Sequence, residues 1–192
     1  MKKRVIIILL SSILIANIWA QEGRHEMRVG YGVATSNGFI NALNDMQITD
    51  ATRNLMSGDK TFKGAFQFGY KYSATDKINL GISLSYEWAK ANSFRDMDML
   101  GKLNSDYYTI AAEADYVYFR REKFTFYSTL GLGATIYDQT SKIDGMNDSS
   151  SKTNFNFQIT PAGVKYGDHF GFFGEIGFGY KGLFNFGLFS SF

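Results

Sequence analysis

The sequence predicts an all-β fold, an eight-stranded antiparallel up-and-down transmembrane β-barrel, and three observations carry that expectation. Eight segments alternate large apolar residues with small or polar ones, the connections between them alternate long and short, and the last segment keeps its alternation as far as Phe192. Period-2 alternation marks a strand with two unlike faces. Long connections on one side and short ones on the other are the habit of barrels that cross a membrane. The segment Leu183–Phe192 places Phe184, Phe186, Leu188 and Phe192 on one parity with no charge or proline among them. Such a strand is an aggregation hazard at an open edge, whereas closure into a barrel that faces lipid removes the edge.

The first strand is expected over 26–35, with Met27, Val29, Tyr31 and Val33 opposite Arg28, Gly30 and Gly32. The second, over 62–72, sets Phe66, Phe68, Tyr70 and Tyr72 against Lys63, Gln67 and Lys71. In the third, Ile78 to Trp88 on even numbers oppose Asn79, Ser83, Ser85 and Glu87, and the fourth, over 107–119, puts Tyr108, Ile110, Tyr116 and Tyr118 opposite Thr109, Glu113 and Asp115. The fifth runs over 124–137 and the sixth over 154–166, with Phe155, Phe157 and Ile159 opposite Asn156, Gln158 and Thr160. The seventh sets Phe170, Phe172, Ile176 and Phe178 against Gly171, Glu175 and Gly177, and the terminal strand is the eighth.

Three long connections of about 25, 17 and 16 residues follow from these bounds, at 36–61, 89–105 and 138–153, and between them lie short turns at 73–77, 120–123 and 167–169. The long ones are read as extracellular loops. The final hairpin breaks the pattern: pairing Gly179 with Leu183 leaves only Tyr180, Lys181 and Gly182, so a fourth extracellular loop is almost absent. The same arithmetic across the 73–77 turn pairs Tyr72 with Ile78 and sets Lys63 directly opposite Glu87.

At the other end, Met1-Lys-Lys-Arg4 followed by an apolar run and Ile18-Trp19-Ala20 has the form of a secretory signal peptide, giving residues 1–20 as a leader and 21–192 as one barrel domain. Loss of Lys2, Lys3 and Arg4 turns 20 basic against 18 acidic residues into 17 against 18. The basic balance therefore belongs to the leader, and nothing global favours nucleic acid. No cysteine is present, which excludes a disulfide frame and thiolate metal sites, and a single proline with abundant aromatics suits long ladders.

Periodicity does not say which face is inside. The size of the residues does: an eight-stranded barrel has an interior that small polar side chains fill, so the face crowded with Phe, Tyr, Trp and Ile must be outside. The whole mature chain resembles, in architecture, the small eight-stranded outer-membrane barrels of the OmpA/OmpX and opacity-protein type, and the run Gly174-Glu-Ile-Gly-Phe-Gly-Tyr-Lys-Gly-Leu-Phe-Asn-Phe-Gly187 looks like their final hairpin. The resemblance implies the cell outer membrane of a Gram-negative bacterium, with Phe186, Leu188 and Phe192 as the signal read by the barrel-assembly machinery. It does not select among the structural, adhesive and enzymatic members of that group.

Inward parity assembles one constellation, Arg28, Lys63 and Lys71 against Glu87, Glu113, Asp115 and Glu175, expected to pair as a polar plug because isolated charges inside a barrel are costly. Tyr127, Phe119, Phe173 and Phe189 share that face and should help to block it. Other motifs carry less. Gly177-Phe-Gly-Tyr-Lys-Gly182 matches a dinucleotide fingerprint but lies in a hairpin with no helix after it. His25 and His169 are the only histidines, one in the lead and one in a turn without serine, so no catalytic residue, cofactor or metal is expected. Asp96 and Asp98, and Asp144, Asn147 and Asp148, lack EF-hand spacing for calcium. Pro161 and Gly163, both taken as outward on the sixth strand, mark a possible lateral notch, since proline withholds a ladder hydrogen bond. The expected function is a monomeric, non-enzymatic barrel with a structural or surface-interaction role through the loops at 36–61, 89–105 and 138–153, whose partners are outer-membrane lipid and an extracellular ligand or host surface. The alternative is a narrow pore or lateral conduit for a small or apolar ligand.

Overall fold

The computed structural model describes residues 25–37, 56–57, 61–95, 98–143 and 146–192, with side chains described over 25–37, 64–89, 104–140 and 151–192. The leader expected at 1–20, most of the first loop and the side chains of the candidate calcium ligands Asp96, Asp98, Asp144, Asn147 and Asp148 lie outside them. The strands are β1 (His25–Val33), β2 (Met56–Ser57), β3 (Thr61–Ser73), β4 (Ile78–Arg95), β5 (Asp98–Arg121), β6 (Phe124–Ile143), β7 (Met146–Gly167), β8 (Phe170–Gly179) and β9 (Phe184–Ser191). Apart from the two-residue β2, each pairs antiparallel with its neighbours in the order β4-β3-β1-β9-β8-β7-β6-β5, and β5 returns to β4. Eight strands thus close an antiparallel up-and-down barrel, with β1 against β9 from Glu26 opposite Ser191 to Val33 opposite Phe184.

Large residues face out and small or polar ones face in, as their sizes require. Val29, Leu80, Ile82, Ile110, Leu130, Leu132, Phe172 and Phe186 are exposed, while Ser83, Thr109, Thr129, Thr135 and Gln158 are buried. Ring contacts gather at two levels of the outer wall. One level links Tyr31, Phe66, Trp88, Tyr86 and Tyr108, and the other holds Tyr116, Tyr118, Phe119, Phe124 and Phe126. Two aromatic girdles flanking an aliphatic band match the two interfaces of a bilayer.

The wall is uneven in height. β8 and β9 have 10 and 8 residues, close to the 9 to 11 that a tilted strand needs to cross a membrane, whereas β5 has 24 and β7 has 22. Much of what the sequence presents as the loops 89–105 and 138–153 is therefore strand: Lys90 pairs with Asn104, and Asp138 with Ser151. That stretch exceeds the length needed to cross the membrane, so no lipid face imposes alternation on it and its strand character leaves no periodic signal.

Five further expectations are corrected. Tyr72 pairs with Leu80, not Ile78, because Thr75 Oγ1 accepts the N–H groups of Lys77 and Ile78 and widens the turn. That register, carried up the strands, puts Ala65 opposite Glu87, and a bulge between Phe62 and Ala65, with Gly64 at φ 83°, follows, so Lys63 is not the cross-strand partner of Glu87. Phe119 faces outward, 49% exposed, because a bulge between Val117 and Phe119 reverses the parity there. Gly163 faces inward: register shifts on both sides of Pro161 leave Pro161 exposed and bring Gly163 and Lys165 to the inner face. His25 is no free lead residue; it begins β1, its Nδ1 lies 2.6 Å from the Tyr70 hydroxyl, and its ring stacks on Phe192.

Candidate functional site

Of the seven interior charges expected, Arg28, Lys71, Glu87, Glu113, Asp115 and Glu175 are buried inside the barrel, and the Lys63 side chain lies outside the described residues. The structure adds Glu26, Lys165 and Lys181 to them. Arg28 is the hub: its guanidinium meets Glu26, lies 3.2 Å from both Asp115 and Glu175, and donates to the Tyr127 hydroxyl at 3.2 Å. Lys71 bridges Asp115 and Glu113, the latter at 2.9 Å, and Lys165 is paired with Glu26. Thr129 and Asn185 complete the shells of Asp115 and Glu175 at 2.7 and 2.8 Å. Four cations thus face Glu26, Glu113, Asp115 and Glu175, while the fifth buried carboxylate, Glu87, accepts from the neutral donors Thr35 and Asn37; paired or hydrogen-bonded in this way, buried charge is tolerable.

Glu26 shares the parity of Arg28 and was legible as inward. Lys165 was not, because the irregularity at Pro161 reverses the parity of everything after it. Lys181 was hidden for another reason: it sits in the β8–β9 turn, and that turn folds into the lumen rather than standing on the rim. The last ladder pair is Ile176 with Phe184, so the connection is longer than three residues, and Tyr180, Lys181 and Gly182 are all buried. Gly182, at φ 97°, makes the reversal possible. The Tyr180 hydroxyl donates to Glu113 at 2.6 Å and lies 2.9 Å from Ser83 Oγ, while Lys181 Nζ reaches Glu113 at 2.8 Å and Glu175 at 3.5 Å. The Lys181 N–H donates to Gln158 Oε1, and its carbonyl accepts from Gln67 Nε2. The turn is a plug made of backbone and side chain together.

Below the plug, Tyr127 and Phe173 flank Arg28 with ring centroids 4.9 and 5.5 Å from its guanidinium carbon. The void beside Arg28, Lys71, Lys181 and Asn185 holds about 10 Å³, the size of one water molecule. The Tyr127 ring also covers Gly163, where an added Cβ would stand 2.6 Å from it, so the inner side of the Pro161 irregularity is filled. At the extracellular mouth Ala34, at φ 56°, sends the chain inward. Thr35 Oγ1 and Asn37 Nδ2 then donate to Glu87 at 2.6 and 2.9 Å, and Ser36 Oγ donates to Asn156. The start of the first long connection is therefore tied inside the mouth.

The rim has one covered and one open edge. β2 pairs with β4 at Met56–Phe94 and Ser57–Ser93, next to the tall part of β4. On the far side, β7 meets β8 only from Gln158 downward, and from Met146 to Asn156 it has a ladder partner on the β6 side alone among the described residues. The edge carries Asp148 and Lys152 but no proline.

Residues 6–188 match the model of a family described as the outer membrane protein beta-barrel domain. The chain belongs to that family. It is accordingly an outer-membrane protein, and its long rim is the extracellular one. Among solved structures, it is similar to Ail, the attachment invasion locus protein of Yersinia pestis, at 16% identity and TM-score 0.45 over 88% of this chain and 95% of that one. The N-terminal β-barrel domain of Pseudomonas aeruginosa OprF is similar at 16% identity and TM-score 0.48 over 90% and 100% of the two chains. Ail in complex with the heparin analogue sucrose octasulfate is similar at 18% identity and TM-score 0.41, over 88% and 95%. No curated protein matches the chain by sequence.

The terminal residues expected to be read during assembly lie on the outer wall of β9 and at its end. Phe186 and Leu188 are exposed there, while Phe192 is half-buried against His25 and exchanges two backbone hydrogen bonds with it, at 3.0 and 2.9 Å. His169 is exposed in the β7–β8 turn.

Proposed function

We propose that this protein is a non-conducting, non-enzymatic anchor whose extracellular sheet holds an extended segment of a partner polypeptide by strand addition along β7. The open upper edge of β7 carries the reading. Along Met146 to Asn156 every second residue turns its N–H and C=O away from β6, without a ladder partner among the described residues, and a strand added there would gain a row of main-chain hydrogen bonds. An edge of that length is usually blunted by proline, by many charges or by a covering segment. Here β2 covers the opposite side and nothing described covers this one. Adhesion and surface protection are the roles such an edge serves.

The filled lumen speaks against the pore alternative, because Tyr180, Lys181, Arg28 and Tyr127 occupy the path. A lateral conduit at Pro161 is disfavoured by the Tyr127 ring beneath Gly163. The non-enzymatic assignment draws on the two histidines, one stacked on Phe192 and the other exposed in a periplasmic turn. Selection of phage-displayed random 12-residue peptides on the barrel in lipid nanodiscs tests the reading. Peptides should enrich on the wild type and lose binding to a variant in which 139–150 are replaced by Asn-Gly, together with Ser151→Pro and Lys152→Pro variants that block the edge. No enrichment, or equal enrichment on all variants, contradicts strand addition.

A further inference from the structure

The outer wall carries a groove at the extracellular girdle that the strand-addition reading does not use. A cavity of about 460 Å³ is lined by Tyr86, Trp88, Ala89, Asn104, Ser105 and Asp106 of β4 and β5. It lies on the lipid side of the wall, since Tyr86 is an outward residue of β4 and Tyr108, stacked on it with centroids 5.1 Å apart, an outward residue of β5. Its height is set by the ladder. Tyr86 and Trp88 are about ten residues from the periplasmic start of β4 at Ile78, the length that spans the hydrocarbon, so the groove opens where lipid headgroups lie.

The chemistry of the groove is specific. The rings of Phe66 and Trp88 stack with an interplanar angle of 5°, and Tyr86 continues the platform at 25° to Trp88. Against these faces stands a carboxylate that is aimed: the Tyr86 hydroxyl donates to Asp106 Oδ1 at 2.8 Å, which fixes that carboxylate beside the rings and leaves Oδ2 for another donor. Asp106 pairs across the strands with Asp138, and directly opposed like charges repel. Aromatic faces attract cations through the ring quadrupole, and a carboxylate beside them adds charge and a hydrogen-bond acceptor. A neutral or anionic occupant would leave the two carboxylates opposed, whereas a cation relieves them.

We propose that this groove binds the primary ammonium of a lipid headgroup, as an amino sugar or aminoethyl phosphate presents it, with Asp106 as the acceptor, Trp88 and Tyr86 as the cation-binding faces and Asp138 as a second negative charge. The lipid source follows from the groove's place on the lipid-facing wall, level with the headgroups.

Trp88 is itself the reporter. Protein purified from outer membranes and placed in nanodiscs of fixed acyl chains should show a saturable change in tryptophan fluorescence as phosphatidylethanolamine replaces phosphatidylglycerol, absent from Trp88→Phe. N-acetylated phosphatidylethanolamine, which has no ammonium, should give no such change. Asp106→Asn keeps the shape and the acceptor for Tyr86 and should raise the half-saturating mole fraction at least fivefold, Asp138→Asn less, with heat-modifiability confirming that each variant is folded. An equal response to the N-acetylated lipid, or an unchanged half-saturation in Asp106→Asn, overturns the proposal. Saturation by soluble phosphoethanolamine at the same half-point as the lipid overturns the lipid source.

Discussion

The low wall of the barrel, made by β8, β9 and β1, and the tall wall, made by β4 to β7, do different work with the same ladder. On the low side the chain runs out of membrane at Gly179, turns inward, and spends Tyr180 and Lys181 on the lumen. On the tall side the strands continue past the length that crosses the membrane, and β7 begins with an edge that no described strand covers. Closure and the proposed recognition are thereby separated: the turn that could have been a fourth loop fills the interior, and the loops that could have been irregular become a sheet. Each wall predicts its own response to mutation.

The largest effect belongs to the sealed interior. Arg28→Ala leaves Glu26, Asp115 and Glu175 without their shared cation, and breaking a buried charge cluster in this way costs about 3 to 5 kcal/mol. Urea unfolding of the detergent-refolded barrel reads this as a lowered midpoint with a similar slope. Next comes Gly32→Ala. A Cβ there would stand 1.7 Å from the Lys181 carbonyl oxygen, so the plug turn has to move, with a loss of about 1 to 3 kcal/mol from overpacking. Resolved conductance steps in planar bilayers, absent from wild type, should accompany that loss.

The tall wall should behave otherwise. Replacing 139–150 by Asn-Gly closes the hairpin between Asp138 and Ser151, an established pair, with a two-residue turn of favoured type. The barrel should keep its stability within about 0.5 kcal/mol, as expected for surface changes away from packed features. A loss as large as that of Gly32→Ala would mean that the two walls are one cooperative unit and would remove the contrast. Smallest of all, deleting Phe192 should lower the folded fraction in cells while hardly changing the protein refolded in detergent. It removes one ring contact and one pair of hydrogen bonds at the end of the β1–β9 seam.

The low wall was largely legible in the sequence, because lipid outside and a narrow interior inside impose alternation on every residue between them. Phe172, Ile176, Phe184 and Phe186 announced their face by size alone. Legibility failed where a bulge reversed parity, at Phe119 and after Pro161, since one extra residue exchanges the two faces of everything that follows. It failed also in the turns, where Thr75 and Gly182 set registers that counting residues does not reveal. On the tall wall the strand signal vanished because no lipid face imposes alternation there, yet the sequence holds one cue: Asp144-Gly145 lies between Ile143 and Met146, which pair, and Asp-Gly between strands is a strong hairpin dipeptide. The plug residue Lys181 had no sequence signal of its own, because a lysine in a turn ordinarily points to water.

We infer that the inward-folded β8–β9 turn keeps the barrel closed while the tall wall remains free to bind. Planar-bilayer recording of the wild type beside a Tyr180→Ala, Lys181→Ala double variant tests it most directly. No resolved steps are expected for the wild type and discrete openings for the variant, with phage-peptide binding retained by both. Steady conductance through the wild type, or a variant that stays closed although it is folded and both plug side chains are gone, would contradict it.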